Sequence, residues 1–214
     1  MATKELQKVG ELTMDFLILV MLVLSGVWFL RSMEQRSRVA LLGSFLGKYQ
    51  IEALMENLTQ GYLRALGEDD PARREQILNM LAAAEQSVAL QFGSFATEFA
   101  RVDEEPARVS TVGMALPFAT RLLPKATFDV REAFRIHARG LAQAASNEMQ
   151  RSPRDKAFTM SAELLLMQHT CHWFCRSKAT ASARTLVRHQ TPYEQLVASV
   201  APATRRDYLA LVQG

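Results

Sequence analysis

The longest uninterrupted run of hydrophobic residues lies near the N-terminus, between Asp15 and Arg31. Its fifteen residues carry no charge, and as a helix they would extend roughly 22 Å at about 1.5 Å per residue. Because the hydrocarbon core of a bilayer is about 30 Å thick, a crossing also needs the flanking charged side chains to reach the headgroups. We predict a transmembrane helix over residues 15–31, after a tail of residues 1–14. The alternatives are a buried core helix, an interfacial anchor and a secretory signal.

A secretory signal fits this segment poorly. Acidic residues precede the hydrophobic run together with lysines, and bulky Trp28 and Phe29 stand where small residues usually precede a cleavage site. Basic residues flank the run unevenly, and this bias predicts that the C-terminal part lies in the cytoplasm. The basic residues after the run are Arg31, Arg36, Arg38 and Lys48, against Lys4, Lys8 and the α-amino group before it.

The long segments after the run have hydrophobic residues at spacings of three and four, and none shows sustained alternation. This pattern predicts an all-α domain over residues 32–214. Its first helix continues from the transmembrane helix and ends at Gly67. Asp70, followed by Pro71 at the first helical position, predicts the N-terminus of a second helix, whose hydrophobic positions extend to Val102.

Further helix starts are predicted where a capping residue precedes a hydrophobic pattern, twice with proline next in sequence. Together the segments predict an antiparallel bundle of about four long helices and a short C-terminal helix, the first continuous with the transmembrane helix. The remaining predicted elements are a helix from Thr127 or Asp129 to Met149, a helix from Ser152, a short helix capped by Thr191 and ending at Val200, and a last turn from Arg205 to Val212.

Residues 109–120 interrupt the helical pattern. They are uncharged and apolar, include Pro117, and are flanked by Arg108 and Arg121. The segment is too short to cross a bilayer. We expect a buried, kinked connector within the bundle, and a re-entrant or membrane-surface segment is the alternative.

Residue types that can ligate metals are concentrated in one helix, at His169, Cys171, His172 and Cys175. Spacings of three and four place pairs of these side chains on one helix face. A structural zinc site needs four ligands, and no second cysteine pair exists to complete a standard spacing. We therefore expect the cysteines to be small buried hydrophobic side chains, with a metal or haem site as the alternative. Glu163, the acid nearest to this cluster, is expected at the surface.

Charge is distributed unevenly along the chain. Residues 1–107 carry a net charge of −5 and residues 108–214 a net charge of +8, which gives the total of +3. We predict an interaction patch in the acid-free stretch of residues 170–191. An acidic protein neighbour or anionic lipid headgroups would suit this patch, whereas a nucleic acid is the least supported partner because no binding motif accompanies it. The patch consists of Arg176, Lys178, Arg184 and Arg188, and the alternative is a solvated basic face that binds no partner.

No phosphate-binding glycine loop, nucleophile elbow or HExxH motif occurs in the chain. We therefore expect a non-enzymatic single-pass membrane protein without a cofactor. Its expected role is that of a structural or adaptor subunit in a membrane complex of the transport, secretion or respiratory type. The alternatives are a membrane-attached sensor or metal- or haem-binding module that uses residues 169–175, and an enzyme whose site carries no familiar motif.

Overall fold

A computed structural model describes the backbone of residues 2–113 and 117–214, and the side chains of these residues from Met14 onward. The chain is all-α, as predicted, with 79% helix and 3% strand. A long apolar helix begins at the N-terminus, and shorter helices of the following domain pack against its C-terminal part.

The helices are, in chain order, α1 (Ala2–Leu46), α2 (Ile51–Leu66), α3 (Pro71–Met80), α4 (Ala82–Phe99), α5 (Glu104–Ala107), α6 (Ala119–Leu122), α7 (Val130–Ser146), α8 (Pro153–Cys175), α9 (Lys178–His189), α10 (Tyr193–Ser199) and α11 (Pro202–Gln213). Two short strands, β1 (Arg108–Ser110) and β2 (Thr127–Asp129), form an antiparallel pair in which Val109 lies opposite Phe128. Three residues are too few for alternation to be visible in sequence, which is why these strands were not predicted.

Helix α1 continues without a break from the apolar run into the domain, as predicted, but it ends at Leu46 and not at Gly67. The chain turns at residues 47–50, where the Tyr49 amide donates to the Leu46 carbonyl at 3.0 Å. This turn directs α2 back along the domain, so that α2 buries one face against α4. Gly67 caps the end of α2, as the sequence indicated.

The predicted second helix is two helices, because the chain bends at Leu81 between α3 and α4. Leu81 packs directly over Gly61 of α2, where an added Cβ would come within 2.6 Å of a Leu81 methyl group. The bend therefore packs the core residue Leu81 against α2 at a glycine, which has no side chain. Helix α7 also differs from its prediction: it ends at Ser146, where Asn147 adopts a left-handed conformation, and Met149 is exposed.

Three of the predicted caps are confirmed by hydrogen bonds. The side chains of Asp70, Asp129 and Ser152 accept from backbone amides of the first turns of α3, α7 and α8 at 2.9, 2.9 and 3.2 Å. The predicted cap at Thr191 is wrong. Its hydroxyl donates backwards to the His189 carbonyl at 2.9 Å, and Pro192 precedes α10 without a side-chain cap.

The core lies between α4, α7 and α8 and is built on aromatic rings. Phe95 and Phe99 of α4 both lie 5.1 Å from the ring of Phe134 on α7, measured between ring centroids. Phe174, near the end of α8, lies 6.0 Å from Phe99. Edge-to-face contacts of this kind fix the three helices against one another.

The segment of residues 109–120 begins as the buried connector that was expected. Val109 is buried, and the carbonyl of Ser110 accepts from the indole nitrogen of Trp173 at 2.9 Å. Residues 114–116 lie outside the described part of the chain. Phe118, beyond them, is exposed, so the segment does not remain inside the bundle along its full length.

Candidate functional site

The N-terminal half of α1 projects from the domain. From Met14 to Leu30 no side chain is buried, and all the large apolar ones except the half-buried Val20 are exposed. Helix α1 is long and apolar enough to cross a membrane. A buried core helix, one of the alternatives for this segment, does not fit this arrangement.

Beyond Arg31, α1 is fastened to the end of α8. Arg38 donates to the carbonyl of Phe174 at 3.3 Å, and its guanidinium lies 5.5 Å from the centre of the Phe174 ring. Arg176, just after α8, donates to the side chain of Gln35. The end of α8 therefore lies where α1 leaves the domain, and we call this region the exit end.

A groove of about 700 Å³ runs between α8 and the segment formed by the end of α1 and the start of α2. One wall is mainly apolar and includes Leu42, Leu46 and Met55. The other wall carries three of the four residues singled out as possible ligands, together with two arginines of the predicted interaction patch. These residues are Cys171, His172, Cys175, Arg176 and Arg184.

The two cysteines are free and half-buried, and they pack against the edge of the core. Burial raises the pKa of both thiols, that of Cys175 to about 11 despite nearby Arg176 and Arg38. Both thiols are therefore protonated at neutral pH. Because the thiolate is the nucleophile and metal ligand, neither cysteine is activated for either role.

Of the two histidines of the same helix, His172 borders the groove together with the cysteines, whereas His169 does not. His169 is fully buried and faces away from the groove, with its Nε2 3.1 Å from the hydroxyl of Ser182 and its ring 4.7 Å from that of Tyr193. His172 accepts from Arg184 at its Nδ1 at 3.3 Å. Within the described residues no group of three or more His, Cys, Asp or Glu side chains could hold a metal ion.

Desolvation keeps the buried histidines neutral. It lowers the pKa of His169 to about 3, with a smaller contribution from Lys178 and His172. His137 of α7 is also fully buried and has its pKa lowered to about 3 by desolvation. Its Nε2 lies 2.8 Å from the Thr170 hydroxyl, with which it shares a hydrogen bond.

Glu163 is not at the surface, contrary to the prediction, but fully buried in the core. Its Oε1 accepts from the amide of Ala201 at 2.9 Å. Desolvation raises the pKa of Glu163 to about 7, although the Ala201 amide and the Thr204 hydroxyl act in the opposite direction. The carboxyl fits there because it faces Gly140 of α7, where an added Cβ would lie 2.4 Å from Oε2.

The four residues of the predicted interaction patch have different surroundings, and two of them are bound to other parts of the domain. Arg176 is bonded to α1, and the ammonium of Lys178 lies 5.3 and 4.7 Å from the ring centres of Trp173 and Tyr193. Arg184 and Arg188 are exposed on α9 and border one shallow depression with His172. Of the four cations, these two are best placed to meet another molecule.

Comparison of the chain with protein-family models, with curated proteins and with solved structures found no match. Three buried groups with strongly shifted pKa values, His137, His169 and Glu163, do not line the groove. The groove presents one mainly apolar wall, and its other wall carries two protonated thiols, His172 and arginines. Concave surfaces with apolar walls and a few polar groups are typical of sites that bind another molecule.

Proposed function

We propose that the protein is a non-enzymatic, single-pass membrane subunit whose helical domain binds a partner protein of a larger membrane complex. The observation that carries this proposal is the division of α1 into two parts. The part from Phe16 to Leu30 exposes a continuous apolar surface, and the part from Leu41 to Leu46 packs against the core of the domain. A large exposed apolar surface next to a folded domain is typical of a segment covered by lipid or by another protein.

The groove is the proposed partner site. Its apolar wall would accept the hydrophobic face of a helix or extended segment, and Arg176 and Arg184 on the opposite wall would pair with acidic residues of that segment. The exposed pair of Arg184 and Arg188 extends this positive surface along α9. We therefore propose an amphipathic, acidic segment as the ligand and a complex of the transport, secretion or respiratory type as its context. Anionic lipid headgroups are the second class of partner for the arginines.

We further propose that the domain lies on the cytoplasmic side, as the basic residues after the apolar run indicate. In a background with Cys171 and Cys175 changed to alanine, a membrane-impermeant maleimide added to intact cells should label Ala2→Cys but not Val187→Cys. Lysed cells should label both. Labelling of Val187→Cys alone in intact cells would mean that the orientation is opposite.

The groove can be blocked without disturbing the helix that lines it. Gly43 borders the groove, and a Cβ at that position would meet no atom within 4 Å. We expect Gly43→Phe to abolish co-purification of the partner complex in mild detergent while the domain stays folded. Gly93→Phe is the matched control, because Gly93 is also an uncrowded glycine within a helix but does not border the groove. Equal retention of partner proteins by the two variants would exclude the groove as the partner site.

The arginines of α9 allow a second, electrostatic test. Reversing Arg184 and Arg188 to glutamate should weaken partner association, more strongly at low than at high ionic strength, because like charges would then face each other. The control is Arg154→Glu with Arg205→Glu, which reverses two exposed charges of the same half of the chain elsewhere on the surface. An equal loss with both double variants would indicate a general effect of net charge.

A metal- or haem-binding module is a weaker proposal. His169 faces Ser182 and Tyr193, His172 faces Arg184, and the cysteines face the groove, so these side chains would have to reorient before they could share one ion. The raised pKa values of the thiols also oppose metal binding at neutral pH.

A further inference from the structure

The segment after β1 returns to the surface at the exit end of the domain. The amide of Phe118 donates to Oε2 of Glu34 at 3.1 Å, and Glu34 also pairs with Arg38 at 3.0 Å. Glu34 lies one helical turn, about 6 Å, beyond Leu30, the last residue of the apolar run. Ala119 borders the same small cavity as Arg31. This segment therefore lies beside α1 at the level where the apolar part of the helix ends.

The segment presents hydrophobic side chains to solvent at that level. Phe118 is 41% exposed, Leu122 71% and Leu123 45%. Phe118 precedes the single turn of α6 in a left-handed conformation, and its carbonyl accepts from the Leu122 amide at 3.0 Å across that turn. Other exposed large apolar residues of the domain include Leu66 and Phe158, which border one pocket between α2 and α8.

Cations accompany this apolar group. Lys125 is exposed next to it, and Arg121 is exposed while pairing with Glu105 at 2.5 Å. An apolar cluster with adjacent basic residues is the composition of segments that lie in the headgroup region of a bilayer. The apolar side chains enter the boundary of the acyl chains, and the basic groups remain among anionic headgroups.

We propose that residues 117–125 form a second membrane contact, in which Phe118, Leu122 and Leu123 enter the interfacial layer of the same bilayer that α1 crosses. This inference rests on the proposed membrane anchoring of α1. It adds that the domain is held against the membrane surface and does not swing freely on its anchor. The contact has the same geometry whichever side of the membrane the domain occupies.

Labelled cysteines in the full chain test this contact. In a background with Cys171→Ala and Cys175→Ala, Leu122→Cys is labelled with an environment-sensitive fluorophore and reconstituted into vesicles of phosphatidylcholine and phosphatidylglycerol. Leu90→Cys is the matched control, because Leu90 is also 71% exposed. In α4, Phe99 pairs with Phe45 near the end of α1, and Phe95 pairs with Tyr49 just after α1. The direction along α4 from Phe99 to Phe95 therefore leads away from the exit end, and Leu90 lies still farther from that end.

We expect blue-shifted emission and several-fold stronger quenching by nitroxide-labelled lipid at position 122 than at position 90. Equal, water-like emission at both positions in protein that floats with the vesicles would overturn the contact while leaving the anchor intact. Protein that does not float with the vesicles would overturn the anchor and, with it, this inference. A benzophenone side chain at position 122 or 90, with both native cysteines retained, should crosslink to lipid only at 122, and crosslinking to lipid at neither position would also overturn the contact.

Discussion

Replacing Gly140 with alanine should destabilise the domain, although glycine within a helix normally costs stability. In an uncrowded helix interior, Gly→Ala stabilises by about 1 kcal/mol. At Gly140 the added Cβ would lie 2.4 Å from Oε2 of Glu163 and 2.6 Å from the Thr204 hydroxyl, whereas ordinary contact begins at 3.4 Å. The buried carboxyl must therefore move, and its 2.9 Å hydrogen bond to the Ala201 amide opposes that movement.

The size of the effect follows from these two contacts. Overpacking a core costs about 1–3 kcal/mol, and loss of a buried hydrogen bond costs about 1–3 kcal/mol. After the gain in helix propensity, we expect Gly140→Ala to lower the free energy of unfolding by about 1–5 kcal/mol. Gly93→Ala, where a Cβ meets nothing within 4 Å, should instead raise it by about 1 kcal/mol.

Urea unfolding of the full chain in mild detergent measures both changes. The fluorescence of Trp173, a buried residue of α8, reports the unfolding of the domain when Trp28 is changed to phenylalanine in every protein. In a Glu163→Ala background, Gly140→Ala should lower the free energy of unfolding by at least about 1 kcal/mol less than it does in the parent. If Gly140→Ala stabilises the protein as much as Gly93→Ala does, then Glu163 is not packed tightly against Gly140.

Two further predictions concern titratable groups. Because the folded pKa of Glu163 is raised to about 7, its contribution to stability is complete below its ordinary pKa of 4.5 and is lost as the pH rises through 7. Glu163→Gln should therefore gain about 2–3 kcal/mol of unfolding free energy relative to the parent between pH 5 and pH 8, and a pH-independent difference would contradict this. Changing Cys171 and Cys175 together to alanine should cost about 1–3 kcal/mol, with metal analysis finding no stoichiometric ion or haem in either protein. Zinc, iron or haem in the parent that is lost in the variant would favour the metal-binding alternative.

The features predicted correctly are local in sequence. The caps at Asp70, Asp129 and Ser152 depend on side chains that bond within the next three residues, so the sequence alone identifies them. The bend at Leu81 depends instead on its contact with Gly61, twenty residues away in sequence. A hydrophobic pattern cannot reveal which small residue a distant leucine will meet.

The candidate site was located by composition, but its geometry was only partly predictable. At about 100° per residue, His169 and Cys171 point to opposite sides of α8, so helical geometry already separates them. The other wall of the groove comes from the end of α1 and the start of α2, and it exists because α1 ends at Leu46. The burial of Glu163 depends on its contacts with Gly140 and Ala201. In the sequence, only the glycine within a helical pattern hinted at such a close contact.

Membrane extraction of charge variants tests the central claim of a spanning α1 most directly. Leu19→Lys with Val23→Lys introduces two charges into the exposed apolar run, each costing about 2.5–3.5 kcal/mol at the centre of a membrane helix. The control, Leu63→Lys with Val187→Lys, changes the same residue types at exposed positions of α2 and α9. After carbonate extraction and flotation, the parent and the control should remain with the membranes and the α1 variant should be released. Release of the parent by carbonate, or retention of the α1 variant in the floated membranes, would contradict the assignment of α1 as the membrane anchor.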